Sequence, residues 1–187
     1  MTEISNKLTD QRYEEIKRII VDVFKRYGIS SVPIDPFDLA RRMGITVIAY
    51  SSFSNSKRDL LLRNSEDGFF LQKTNGTHVI YYNDEKRRAR INNTIMHEIG
   101  HIVLGHTEES NLAEAEVNFF AKYALVPPVL VEKLGLSYFD EIEDTFQVSL
   151  TAACNALSYY IKWVRYGPRE YTDYELELID MFGFAKM

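Results

Sequence analysis

The chain has 187 residues, of which 45% are hydrophobic and 26% are charged, and this composition fits one globular domain with a sizeable core. Its net charge of −5 argues against broad binding to nucleic acid or to membrane surfaces. No run approaches the ~20 apolar residues of a membrane span, and the N-terminal stretch lacks the apolar core of a secretory signal. Cys154 is the only cysteine, so no internal disulfide can form and we expect a reducing, cytoplasmic location.

Two helices are predicted near the start of the chain. Apolar residues recur at helical spacing from 10 to 27, and Gly28 follows as a stop signal. Asp35 and Pro36 then form an N-cap and first-turn pair, which opens a short helix that ends before Gly44. The chain therefore begins with one long helix and one short helix.

Strand signals follow these helices. The segment 45–51 is β-branched and apolar, as is typical of a strand. The segments 69–72 and 78–82 flank Asn75-Gly76, and this dipeptide is a strong signal for the turn of a β-hairpin. The sequence thus predicts three strands.

The rest of the chain is predicted to be helical. A proline-free segment spans about 87–105, and a second long helix spans about 111–125 before Pro127 and Pro128 end it. Further helices are predicted over about 128–134, 138–145 and 150–165, and a last one starts at Thr172.

This order of elements predicts an α+β fold that is mostly helical, with a small sheet beside the 87–105 helix. We expect a single domain over 1–187 in three parts. These are an N-terminal helical and sheet part (1–85), two helices that carry the chemistry (86–127), and C-terminal helices (128–187).

Residues 97–101 carry the most informative motif of the chain, HEIGH. On an α-helix, His97 and His101 stand about 40° apart on one face and one turn apart along the axis. Two imidazoles so placed can bind one zinc ion, and the adjacent Glu98 can take a proton from metal-bound water. The surrounding residues are apolar and Gly105 can end the segment, which favours a buried metal-binding helix over two bystander histidines.

A catalytic zinc site usually takes three protein ligands and leaves one position for water. His106 is the nearest further histidine, but it falls about 180° around the helix from His97. We therefore expect His106 to be a helix-end residue favoured by the C-terminal dipole. The third ligand should come from the 111–125 helix, where Glu114 and Glu116 are both bordered by apolar residues. Helical periodicity does not choose between these two, and the alternative is that both are solvated.

Several other features have a functional and a structural interpretation, and the structural one is favoured for most. Tyr123 is a candidate for oxyanion stabilisation, but a core tyrosine is favoured. For the basic run 86–90, a solvated face is favoured over a binding site for an acidic substrate. For the aromatic residues of 159–163, a position in the core is favoured over a groove for a partner. Cys154 is expected to be a small core residue. Asn118 is equally consistent with a residue that orients the third ligand and with a helix-surface amide.

The sequence resembles the ImmA/IrrE family of small bacterial and phage metallopeptidase-like proteins. The resemblance rests on VPIDPFDLARRMGITV, DGFF followed by HVIYYND, arginines before HEIGHIVLGH, and then EVNFFAKYALVP and FQVSLTAA. The family pattern of Glu-Ala-Asn/Asp, Phe-Ala, an apolar pair and Pro aligns here with Glu116-Val117-Asn118, Phe120-Ala121 and Leu125-Val126-Pro127. Val117 replaces the usual alanine.

The resemblance implies a zincin-like zinc endopeptidase that hydrolyses peptide bonds inside the cell. By this alignment His97, His101 and Glu116 hold Zn²⁺ or Mn²⁺, and Glu98 is the general base. The resemblance also implies an anti-repressor, which cleaves or otherwise inactivates a helix-turn-helix repressor of a phage, a mobile element or a stress response.

Because only one long and one short helix precede the motif region, we expect no DNA-binding domain in this chain. The repressor would then be a separate protein partner, with no direct contact to nucleic acid or membrane by this chain. The alternatives are a repressor-binding regulator of the same fold that does not cut, and a toxin-like member of a toxin–antitoxin pair.

Overall fold

A computed structural model describes residues 8–108 and 110–184 of the chain. Within these residues there are nine α-helices and one three-stranded β-sheet. The helices are α1 (Asp10–Tyr27), α2 (Pro36–Arg42), α3 (Asn55–Asn64), α4 (Arg88–Leu104), α5 (Asn111–Leu125), α6 (Pro128–Lys133), α7 (Phe139–Phe146), α8 (Leu150–Tyr166) and α9 (Asp173–Met181). The strands are β1 (Thr46–Ala49), β2 (Gly68–Gln72) and β3 (His78–Tyr82). The predicted α+β fold, mostly helical with a small sheet, is confirmed.

The structure differs from the sequence analysis at three places. α3 is not predicted, because this helix lies on the surface and buries none of its residues. Cys154 is exposed rather than in the core, since Ala153 is the one residue of α8 that is buried. The predicted strand at 45–51 is also shorter than expected, because a 3-10 turn at Tyr50–Ser52 follows β1 and buries the Tyr50 side chain.

The sheet has the order β1-β3-β2, so β3 is its central strand. β3 pairs in parallel with β1 and antiparallel with β2, and its Val79 and Ile80 are buried. The predicted hairpin turn forms between β2 and β3, where Gly76 takes a φ of 81° that a residue with a side chain rarely adopts. β1 and β2 are therefore the two edge strands of the sheet.

β2 lies unusually close to α4. A Cβ atom on Gly68, the first residue of β2, would stand 2.7 Å from Thr94 Cγ2 on α4 and 2.7 Å from the Tyr81 carbonyl oxygen. Real Cβ atoms do not approach other atoms so closely, so the absence of a side chain at residue 68 is what allows this contact. The close approach brings the backbone of β2 against the helix that carries the HEIGH motif.

α4 and α5 pack side by side at the centre of the molecule. α4 contributes Ile95 and Ile99, and α5 contributes Val117 and Phe120, all fully buried. Gly100 makes room for this packing, because a Cβ there would lie 3.1 Å from Phe120 Cδ1. The shared core fixes how α5 is rotated about its axis relative to α4.

α1 covers the other side of α5 and also contacts α9. Its apolar face is buried, with Ile16, Ile20 and Phe24 fully enclosed. The Thr9 side chain caps the helix by accepting a hydrogen bond from the Arg12 backbone N–H. Within residues 8–108 and 110–184, no helix is long and apolar enough to cross a membrane.

Candidate metal centre

Three side chains from α4 and α5 converge beside strand β2. His97 Nε2 lies 3.2 Å from His101 Nε2 and 3.5 Å from Glu114 Oε2. His101 Nε2 lies 3.3 Å from Glu114 Oε1. In the part of the chain that the structure describes, these three residues are the one cluster of His, Cys, Asp or Glu side chains with the spacing of a metal site.

The cluster fits a zinc ion in both chemistry and size. Two imidazole nitrogens and one carboxylate oxygen are the ligands of many catalytic zinc sites. Zinc–ligand bonds of about 2.0–2.1 Å in a tetrahedral arrangement place neighbouring ligand atoms about 3.3–3.4 Å apart. The 3.2 Å between the two Nε2 atoms agrees with that spacing, and the contacts of His97 and His101 with Glu114, at 3.5 and 3.3 Å, end on the two different oxygens of its carboxylate.

The structure corrects the choice of Glu116 as the third metal ligand. Glu116 stands outside the cluster, where its carboxylate accepts hydrogen bonds from Arg12 Nε at 2.7 Å and Arg12 Nη2 at 3.1 Å. Its Oε2 also lies 2.8 Å from His106 Nε2. The hydrogen bond from Arg12 is the main reason that the pKa of Glu116 is lowered. Glu114 takes the place in the cluster that the alignment gave to Glu116.

The geometry of α5 explains this outcome. Glu114 and Glu116 are two residues apart and so point about 200° apart around the helix. Asn118 follows Glu114 by four residues, on the same face of α5, and its side chain is close enough to His97 to raise the pKa of that ring slightly against the effect of burial. The sequence signal for Glu114 as the ligand is its spacing from Asn118, because residues four apart on a helix face the same neighbouring element. Asn118 itself is exposed, and its side chain faces His97.

Burial favours the metal-binding form of both histidines. Loss of hydration on burial is the largest effect on His97 and on His101, and it lowers the pKa of each ring. A neutral imidazole has a free lone pair, which a metal ion requires. The two rings are therefore held in the form that can bind a cation at neutral pH.

Glu98 lies beside the cluster and is almost fully buried. Its Oε2 accepts a hydrogen bond of 3.1 Å from the Phe70 backbone N–H of β2. Burial raises the pKa of Glu98 to about 8, which this single hydrogen bond only partly offsets. A carboxyl group with such a shifted pKa next to a candidate metal site has the properties expected of a group that exchanges protons.

His106 is brought back toward the cluster by the end of α4. Gly105 takes a left-handed conformation, with φ 71°, and the His106 backbone N–H then donates to the His101 carbonyl oxygen. The chain therefore leaves the helix before His106, and a helical wheel no longer describes where its side chain lies. His106 does sit at the helix end as predicted, but its ring contacts both His101 and Glu116.

A cavity of about 430 Å³ opens next to the cluster. Its lining is mostly polar and includes Gly68, Phe70, Glu98 and Glu114. Tyr123 does not line it. That tyrosine is buried, as predicted for a core residue, and its ring lies near Lys17 of α1.

The structure also shows where the basic run 86–90 and the aromatic residues of 159–163 lie. Arg87, Arg88 and Arg90 are exposed, and Arg90 forms a two-pronged salt bridge with Asp67, at 2.6 and 2.7 Å. The predicted solvated face agrees with this exposure. Tyr159, Tyr160 and Trp163 are partly buried against the core.

The α4–α5 helix pair, strand β2 and the His–His–Glu cluster form an arrangement that fits the metallopeptidase class. Residues 40–158 match the family model of the IrrE N-terminal-like domain, a peptidase family. This match covers more than half of the chain, so the chain belongs to that family and the resemblance noted from the sequence is confirmed. A comparison with curated proteins finds no match.

Proposed function

We propose that this protein is a zinc-dependent endopeptidase. The observation that carries the proposal is that His97, His101 and Glu114 converge at one position, with the ligand types of a catalytic zinc site and ligand atoms within 4.8 Å of one another. Glu98, buried beside this position, gives the site a group that a purely structural zinc site does not need.

In this proposal His97 and His101 bind the metal through Nε2, and Glu114 binds it through its carboxylate. When bound, a zinc ion supplies Lewis-acid chemistry, since it polarises a carbonyl group and lowers the pKa of water. Asn118, whose side chain interacts with the His97 ring, would help to orient that ring toward the metal.

Glu98 acts as the general base and then as the general acid. Its Oε2 is held by the Phe70 N–H, which leaves Oε1 as the atom that accepts a proton from the attacking water. The same carboxyl group then returns that proton to the leaving amine of the cleaved peptide bond. Its buried position keeps bulk water from competing for the proton.

The substrate backbone would lie in the 430 Å³ cavity between β2 and α5. β2 borders this cavity with Gly68, Phe69 and Phe70, and as an edge strand it has an unpaired side. An extended peptide can pair with such an edge through backbone hydrogen bonds. This places a requirement on the substrate, which must present an extended or locally unfolded segment.

The physiological substrate that we propose is a helix-turn-helix repressor, and the protein would act on it in the cytoplasm as an anti-repressor. The support for this role is the resemblance to the ImmA/IrrE family, now joined by the family match over residues 40–158.

The test is co-expression of the protein with a helix-turn-helix repressor encoded beside its gene, followed by immunoblotting of the repressor. Wild type and the control Glu170→Gln, an exposed residue between α8 and α9, should both produce a discrete repressor fragment. Glu98→Gln should leave the repressor intact, because general-base catalysis contributes about 10²–10⁴-fold to such reactions.

Two other outcomes would contradict the proposal. A fragment produced by Glu98→Gln at the wild-type rate would remove Glu98 from the base role. An intact repressor in all three strains, with its target promoter nevertheless released, would mean that the protein regulates by binding and not by cleavage.

A further inference from the structure

An unbroken line of polar contacts connects α1 with the candidate metal ligand His101. His101 Nδ1 lies 3.1 Å from His106 Nδ1, and His106 Nε2 lies 2.8 Å from Glu116 Oε2. Glu116 in turn accepts the two hydrogen bonds from Arg12, at 2.7 and 3.1 Å. These contacts join α1, the end of α4 and α5 at one point.

The donors and acceptors along this line are set by the metal site. His101 Nε2 faces His97 and Glu114, so metal binding requires a lone pair there and leaves the ring proton on Nδ1. His101 Nδ1–H then donates to His106 Nδ1, which must accept. His106 therefore carries its own proton on Nε2, and this N–H donates to the Glu116 carboxylate.

The charge of Glu116 is compensated within the same line. Glu116 is only 7% exposed, and a buried carboxylate is stable only when it is paired and hydrogen-bonded. Arg12 supplies both conditions through its two-pronged contact. An ionised Glu116 is the acceptor that favours a proton on His106 Nε2 over a proton on His106 Nδ1.

We propose that Arg12, Glu116 and His106 are positioning residues, which hold His101 in the tautomer and orientation that bind metal through Nε2. The inference rests on the metal site of the proposed function but not on any peptidase activity. Arg12 lies outside the segment 40–158 that matches the family model, so α1 adds a part of the metal centre that this match does not contain.

Zinc affinity of the purified full-length protein gives the first test, measured by competition with a chromophoric chelator. We expect Glu116→Gln and His106→Ala to weaken zinc binding by about 10–100-fold, the usual effect of removing a group that orders a metal ligand. The matched control is Glu15→Gln, which removes an exposed contact of Arg12 but leaves the line to His101 intact. It should bind zinc like the wild type.

A second measurement observes the ring protons directly, first in the wild type and then in variants of Arg12. Two-dimensional NMR of the zinc-loaded, ¹⁵N-histidine-labelled protein reports which ring nitrogen carries the proton. We expect His101 to carry its proton on Nδ1, and His106 to carry its proton on Nε2. In Arg12→Gln, the His106 signals should shift toward a mixture of tautomers, and Arg12→Lys should restore part of the wild-type pattern because it keeps the charge.

Each result bears on the inference separately from the proposed function. Zinc affinities of Glu116→Gln and His106→Ala within twofold of wild type would overturn it, as would His106 protonated on Nδ1. A protein that binds zinc with the expected losses in these variants but cleaves nothing would support the positioning network and contradict the peptidase. A wild type that does not bind zinc would contradict both.

Discussion

Two regions of the molecule each bury a glutamate, and they treat it differently. In the corner between α8 and α9, Glu175 accepts hydrogen bonds from Trp163 Nε1 at 2.7 Å and from the Thr172 backbone N–H at 2.8 Å. In the metal centre, Glu98 is buried almost as deeply but has one hydrogen bond, from Phe70. Both oxygens of Glu175 are thus used by the protein, while one oxygen of Glu98 is left over.

This difference separates a structural carboxylate from a reactive one. The Glu175 side chain completes the capping box of α9, so its hydrogen bonds hold two helices together. Glu98 joins no helix end, and its unfilled oxygen faces the cavity beside the His–His–Glu cluster. A buried carboxyl group whose oxygens are not both hydrogen-bonded is a candidate for a catalytic role. Its burial lowers the stability of the folded protein, and no structural role explains that loss.

The largest expected effect is on the metal centre. Glu114→Ala should weaken zinc binding by more than about 100-fold, because it removes a proposed metal ligand, whereas removal of a residue that only orients a ligand costs less. The thermal stability of the metal-free protein should hardly change, since the Glu114 side chain is 46% exposed. Chelator competition and a melting curve measure the two properties, with Glu170→Ala as the control. Unchanged zinc affinity would move the third ligand elsewhere.

The same substitution in the two regions should have different effects on folding. Glu175→Gln should lower the free energy of unfolding by about 1–3 kcal/mol, because an amide cannot accept both hydrogen bonds and one buried donor is left unpaired. Glu98→Gln should not destabilise the metal-free protein, because it replaces a buried acid with a neutral group of equal size. Denaturant unfolding of both variants compares them directly. Equal losses would mean that the two carboxylates are structural alike.

The smallest expected effect concerns the exposed Arg90–Asp67 pair, which links α4 to the start of β2. The hydrogen bond from Arg90 lowers the pKa of Asp67, so the pair stabilises the folded protein above the ordinary aspartate pKa of 3.8 and this contribution is lost as the pH falls through the lowered value. Arg90→Gln should cost less than about 1 kcal/mol at pH 7, because exposed ion pairs are weak, and the cost should vanish once the pH is below the lowered pKa of Asp67. A larger cost at pH 7, or one that persists in acid, would contradict this reading.

Much of the secondary structure could be predicted because it is encoded locally. Helical periodicity and end signals, such as Gly28 after α1 and Asp35 before α2, are read from neighbouring residues. The motif residues His97 and His101 also depend only on helix geometry. α3 escaped prediction because a helix that buries nothing has no apolar stripe to detect.

The third ligand could not be read in the same way. The choice between Glu114 and Glu116 depends on how α5 is rotated against α4, and that rotation follows from the packing of Phe120 into the space beside Gly100. The alignment identified the right helix but not the face that α4 meets. The contact of Arg12 with Glu116 joins residues 104 positions apart and depends on the docking of α1, which no local pattern contains.

The missing side chain at Gly68 has a consequence for how this sequence can diverge. Residue 68 contacts none of the cluster residues, yet any larger residue there would push β2 away from Thr94 and so move the Phe70 N–H that holds Glu98. Among functional variants of this protein, position 68 should therefore tolerate substitution as poorly as Glu98 itself. A saturation library selected for activity would then give glycine at position 68. Gly68 would affect Glu98 only indirectly, through the position of the Phe70 backbone N–H.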